Sequence, residues 1–231
     1  MQRFTPLVIA IACIACEKKT AKPAPTGTIV DEGTLVTTLD GKVNAREKFS
    51  IHKDGDKLVL RASSATVDGA KVPSQQEGEL ETDLAYKPIR GTYRYTAKQD
   101  GFRYTLGGTP LTLDRIRDDG EKPQHIVASG PVELFVEIGL IGLTALCRVE
   151  APATLNSIAD FESGYRGGKV VVKTVGKAAG LKKLTVKYLE EFEVEVYCDG
   201  DKLVASGLRG NKLWHVREGR ETDFAAARDA P

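Results

Sequence analysis

Aromatic side chains make up only 6% of the 231 residues, Trp214 is the single Trp, and the formal net charge is +1 with acids and bases mixed along the chain. That balance supplies none of the concentrated positive charge that nucleic-acid binding draws on, so no nucleic-acid partner is expected. Patterns for chemistry are missing as well. The Ser-Gly pairs at Ser129, Ser163 and Ser206 lack the glycine two residues earlier that a hydrolase elbow requires. His52, His125 and His215 stand alone, with no second His at helical ligand spacing, and no Cys-x-x-Cys follows residue 16. Gly107-Gly108 and Gly167-Gly168 read as turns rather than phosphate loops. The chain is therefore expected to be neither an enzyme nor a holder of metal or cofactor.

What is plentiful is Val, Thr, Leu, Lys and Gly, in short runs where apolar and polar residues alternate from Thr28 onward. Turn signals divide these runs at Asp40-Gly41, Asp54-Gly55, Asp100-Gly101, Asp119-Gly120 and Asp199-Gly200. The segment from Lys42 to His52 is predicted to return across Asp54-Gly55 through Lys57 to Arg61. Tyr93-Arg94-Tyr95 is predicted to return as Phe102-Arg103-Tyr104. Pro88 has no amide donor and marks a strand end or an edge. The fold class that follows is mostly β: an antiparallel sheet forming a half-barrel or barrel-like sandwich, with one apolar helix packed on it. A charged stretch at Arg217–Glu221 leads into Phe224, read as a short helix or a frayed tail.

The N-terminus has a different character. Arg3 precedes an apolar run, Leu7 to Ala15, that is too short for a permanent membrane span and reads as an export signal. From Glu17 to Gly27 the chain is charged and Pro-rich with nothing apolar to bury, which describes a tether. Ala15 before Cys16 resembles the bacterial lipobox, in which the cysteine is lipidated and becomes the first residue of the mature chain. Cys13 occupies the outer position of that box, where Leu is usual, and with Ala12 before it stands as a rival site. Cys16 is preferred because cleavage there removes the whole apolar run. The resulting organisation is a signal peptide at 1–15, a lipidated cysteine and tether at 16–27, and a single β-rich domain at 28–231. The resemblance implies a bacterial cell-envelope location with a lipid anchor in the membrane. Glu17 rather than Asp after the cysteine favours the outer membrane, facing the periplasm, over the inner membrane or the cell surface. An ordinary secretory signal with incidental cysteines is the other reading.

Removing Cys13 and lipidating Cys16 leaves Cys147 and Cys198 in a compartment that permits disulfides, and they are expected to bond. Such a bond would close a loop of about 50 residues, stabilising the fold by roughly 4 kcal/mol on chain-entropy grounds.

Two further segments carry specific expectations. Lys183, Thr185 and Lys187 share one face of a strand, and Glu191, Glu193 and Glu195 share one face of the next. A loop at 188–190 would set Lys187 against Glu191 and Lys183 against Glu195 as an exposed ion ladder. Leu184 and Val186 would then face Phe192 and Val194, and Cys198 would continue that inner face. In the second segment, Ser129 can cap a helix whose first turn holds Pro131 and whose N-terminal half holds Glu133 and Glu137. Phe135, Val136, Ile138, Leu140, Ile141, Leu143 and Leu146 make it apolar almost all round, while Gly139 and Gly142 weaken it and leave a buried strand open.

Hairpins, an apolar helix-like stretch from Pro131 to Leu146, and more hairpins resemble the open half-barrel carriers that move lipids or lipoproteins through the periplasm. Uncharacterised β-rich envelope lipoproteins are similar in the same sense. The resemblance implies a lipid or other amphiphile as ligand, with Phe135, Ile138, Leu140 and Ile141 in the cavity wall. The same four residues could instead complete a core. The alternative function is a non-catalytic structural or protein-interaction module of the envelope, with an envelope protein as partner.

Overall fold

The computed structural model describes residues 26–69, 73–98, 101–135, 140–158, 168–188, 192–208, 210 and 212–230. Cys13, Cys16 and the expected signal and most of the tether lie outside them. Among the described residues, fourteen strands form one antiparallel sheet. The first meander runs β1 (Thr28–Leu39), β2 (Lys42–Asp54), β3 (Lys57–Thr66), β4 (Ser74–Asp83), β5 (Pro88–Ala97), β6 (Gly101–Gly107), β7 (Thr112–Arg117) and β8 (Gln124–Val127). The second runs β9 (Ala153–Ser157), β10 (Gly168–Ala178), β11 (Leu181–Tyr188), β12 (Phe192–Asp199), β13 (Lys202–Leu208) and β14 (Leu213–Arg217).

The chain's own ends join the two meanders. β14 returns to pair with β1, Leu35 opposite Arg217 and Leu39 opposite Leu213. Arg217 secures the seam: its guanidinium donates to both Asp31 carboxylate oxygens, at 3.0 and 2.6 Å, and to the Glu32 carbonyl at 2.7 Å. A bidentate pair of this kind is stronger and more directional than a simple charge contact.

β8 and β9 are thereby left as the two edges of the sheet. They are not paired with each other, but the chain between them links both. The Ala128 amide donates to the Leu111 carbonyl beside β7, and the amides of Glu133 and Leu134 donate to the Asn156 carbonyl in β9. Five residues reach at most about 18 Å when extended, so the two edges must approach within that distance. The sheet is therefore curled but not closed, and the segment from 128 to 134 straps its edges. At β9 the amides of Glu133 and Leu134 also cover edge backbone that would otherwise invite another chain.

Turn chemistry follows the sequence closely. Asp40 and Gly41 take φ of 50° and 76°, the left-handed pair that matches strand twist in a two-residue hairpin. Ala179 and Gly180 do the same at 46° and 85°, without the Asn or Asp that would have announced it. Tyr93 stands opposite Tyr104 and Tyr95 opposite Phe102, as the Asp100-Gly101 signal implies.

Two expectations change. The continuous helix from Pro131 to Leu146 does not form. Leu134 makes a parallel bridge to Ser157, and among the described residues of this stretch helical backbone is confined to a 3-10 turn at Leu140–Leu143 followed by α1 (Thr144–Cys147). The backbone of 133–134 is used to cover the β9 edge, and Gly139 and Gly142 add the entropic penalty of glycine in a helix. The β11–β12 register is also two residues away from the expected one: Lys187 faces Glu193, Thr185 faces Glu195 and Lys183 faces Tyr197. A slip of two preserves which face each side chain occupies, so alternation cannot distinguish the two pairings. Lys183 still reaches Glu195 diagonally at 3.2 Å, but the pair is only 14% and 15% exposed rather than part of an open ladder.

Candidate functional site

The inner face of the curled sheet is the apolar one. Leu35, Ile51, Leu60, Leu106, Leu113, Val172, Leu184 and Val196 converge there in one cluster. The strap and its helical end complete it. Phe135 and Ile141, expected in a cavity wall, are 4% and 0% exposed within this cluster, and Leu146 is equally buried. Ile138 and the side chain of Leu140 lie outside the described residues.

Polar contacts fasten the covering segment at several points. Glu47, 2% exposed on the inner face of β2, accepts a hydrogen bond from the Ile141 amide at 3.0 Å. Such a bond satisfies one of the amides that the start of a helical turn leaves open. Cys147 is disulfide-bonded to Cys198 of β12, with Cα atoms 5.5 Å apart. Lys182 donates to the carbonyls of Cys147 and Val149 at 3.1 and 2.7 Å, taking up acceptors that the end of α1 leaves free. Arg148 pairs with Asp201 at 2.9 Å and lies over the Tyr86 ring, whose hydroxyl burial pushes to a higher pKa.

The isolated histidines acquire neighbours. His125 pairs with Asp114 across the β7–β8 ladder. His215 receives or donates a 3.0 Å hydrogen bond at Nδ1 with the Thr37 hydroxyl, and burial pulls its pKa down to about 4. The strand order brings Ser206 directly opposite His215, a juxtaposition that sequence distance hides. Ser206 Oγ is nevertheless buried with no hydrogen-bond partner, so no Ser–His dyad is assembled. Among the described residues there is no group of three His, Cys, Asp or Glu side chains able to hold a metal ion.

The outer face is different. Across β2 to β6 its side chains line a trough of about 1010 Å³. The pairing registers place Lys48, Ser63, Glu77, Arg94 and Arg103 in one transverse row, each beside the next. Arg46, Thr92, Thr96 and Thr105 flank that row. Tyr93 and Tyr104 touch the trough wall, but both are buried on the inner side, where they stack with each other and pack against Phe102. Arg46 and Arg94 are held from the rim by Glu218 and Asp118, at 2.7 and 2.6 Å. Arg94 opposite Arg103 is a like-charge cross-strand pair, an arrangement that is destabilising. Farther along the same face, the hydrogen bond from Lys57, assisted by Arg90, holds Glu81 below the usual carboxylate pKa.

The sequence did not single out this face. The Asp100-Gly101 hairpin by itself sets Arg94 opposite Arg103, but carrying the row on to Lys48 requires three more registers.

No family model matches the chain, and no curated protein matches it. Among solved structures, the sheet is similar to the crystal structure of a DUF1089 family protein from Pseudomonas aeruginosa, at 11% identity and a TM-score of 0.39, over 69% of this chain and 86% of that one. A likeness this loose carries no inference about function.

Proposed function

We propose that this chain is a lipid-anchored protein of the bacterial cell envelope whose body binds a lipid or other amphiphile against the apolar inner face of its curled sheet. The observation that supports the reading is the nature of the inner cover. A single sheet presents a continuous apolar face, and what lies on it is the chain's own connection, of which the described part is helical from Leu140 to Cys147. Phe135 and Ile141 then occupy the place an acyl chain would take, and binding would displace the part of the connection between the β9 edge and the disulfide. An acyl chain needs a few hundred cubic ångströms, which that displacement would open.

The test is direct. Residues 28–231 are exported to an oxidising compartment, purified without detergent, and examined by native mass spectrometry with analysis of the organic extract. A stoichiometric co-purifying lipid is expected. A clean apo mass, together with no binding when envelope lipids are added back, would overturn the reading.

The second reading is a non-catalytic interaction module. It is favoured by the burial of Phe135 and Ile141 by the chain itself and by the open trough on the opposite, polar face.

A further inference from the structure

We propose that the trough on the outer face of β2–β6 is a binding site for an acidic polysaccharide. This inference is independent of what occupies the inner face.

Charge comes first. The side chains lining the trough include Arg46, Lys48, Arg94 and Arg103 against one acid, Glu77. Arg46 and Arg94 have carboxylate partners on the rim, but no ion pair involves Lys48 or Arg103 among the described residues. The near-neutral charge of the whole chain conceals this local excess. Arg103 is exposed and directly opposite Arg94, an arrangement that folding alone does not reward and that a bridging anion would relieve.

Geometry sets the size of the ligand. Adjacent strands are about 4.8 Å apart, so Arg94 and Arg103 can share one anionic group, whereas Lys48, four strands from Arg103, lies roughly 19 Å away. A single small anion cannot engage both ends. A chain carrying repeated acidic groups can, and the trough lies at the upper end of ligand-pocket volumes.

Chemistry sets the class. Between the cations the wall offers the hydroxyls of Ser63, Thr92, Thr96 and Thr105 and the amide of Gln75, partners suited to a hydroxyl-rich ligand. The rings of Tyr93 and Tyr104 are turned into the core, so the floor provides no stacking platform for bases and no aromatic anchor of the kind that dominates protein interfaces. Anionic glycan fits these features; single-stranded nucleic acid and acidic peptide do not.

The experiment uses the full-length chain, diluted below the critical micelle concentration of its neutral detergent, and titration calorimetry with four probes: polygalacturonate, neutral dextran, polyglutamate, and vesicles containing phosphatidylglycerol. Polygalacturonate is expected to bind, more weakly as salt is raised, and more tightly than the other three. The double substitution Lys48→Gln/Arg103→Gln should weaken that binding about tenfold or more, while Glu77→Gln should strengthen it. Both variants remove exposed charge and should retain the thermal midpoint of the parent, which verifies that any loss is at the trough. Equal or tighter binding of dextran, polyglutamate or the vesicles would overturn the proposal, as would no binding of polygalacturonate or no response to the double substitution.

Discussion

The two meanders share one sheet but treat their outer faces in opposite ways. In the second, β13 is buried on both sides: Leu203 contributes to the inner cluster, while Val204 and Ala205 belong to a second cluster with Tyr197, Trp214, Val216 and Phe224. That second cluster is covered by α2 (Glu221–Arg228), which places Phe224 4.9 Å from the Trp214 ring and edge-on to Tyr197 at 5.3 Å. Gly207, opposite Trp214, makes the packing possible, since a Cβ there would lie 2.5 Å from the indole. In the first meander the outer residues of β2 to β6 are mostly polar, many of them charged or hydroxylated, nothing covers them among the described residues, and the trough is the result. The contrast teaches that on the outer face aromatic side chains, Tyr197, Trp214 and Phe224, stand where a helix covers the sheet, whereas the uncovered outer face of β2 to β6 carries none.

The largest test of this contrast is Phe224→Ala. Emptying an aromatic site that is 4% exposed should cost about 3–5 kcal/mol, read by denaturant unfolding. A loss below about 1 kcal/mol would mean that α2 is not a true second layer.

An intermediate effect is expected from His215, on the inner side near the β1–β14 seam. Because burial holds its folded pKa at about 4, below the ordinary 6.5, the unfolded chain takes up the proton first as pH falls. Its contribution is complete above about pH 6.5, declines between there and pH 4, and levels off below. The ceiling is about 3 kcal/mol, reduced by the ring's partial contact with water. The measurement is the difference in unfolding free energy between the parent and His215→Gln from pH 7.5 to 4, since carboxylates common to both cancel. A flat difference would remove the assignment.

The smallest effect belongs to the outer face of the first meander. Arg103→Gln should change stability by no more than about 0.5 kcal/mol in either direction, a size typical of exposed positions. A larger destabilisation would show that the row from Lys48 to Arg103 holds the sheet together and is not held ready for a ligand.

Much of this fold was legible because it depends on local chemistry. Asp40-Gly41, Asp54-Gly55 and Asp199-Gly200 dictate hairpins through left-handed backbone, alternation assigns each side chain a face, and two cysteines on inner-facing positions find each other. The N-terminal lipidation signal rests on local sequence as well and stands as a proposal. What the tertiary structure decided depends on residues far apart in the chain. Pairing of β1 with β14 joins positions such as Leu35 and Arg217, for which no local signal exists. The β11–β12 register was ambiguous by two because a two-residue slip leaves every face unchanged. The apolar stretch after Pro131 looked helical by composition, yet the need to cover the β9 edge drew its first residues into extended pairing. The row from Lys48 to Arg103 exists only once four registers are set together, and for that reason alternation along single strands could mark its residues as solvent-facing but could not bring them into one trough.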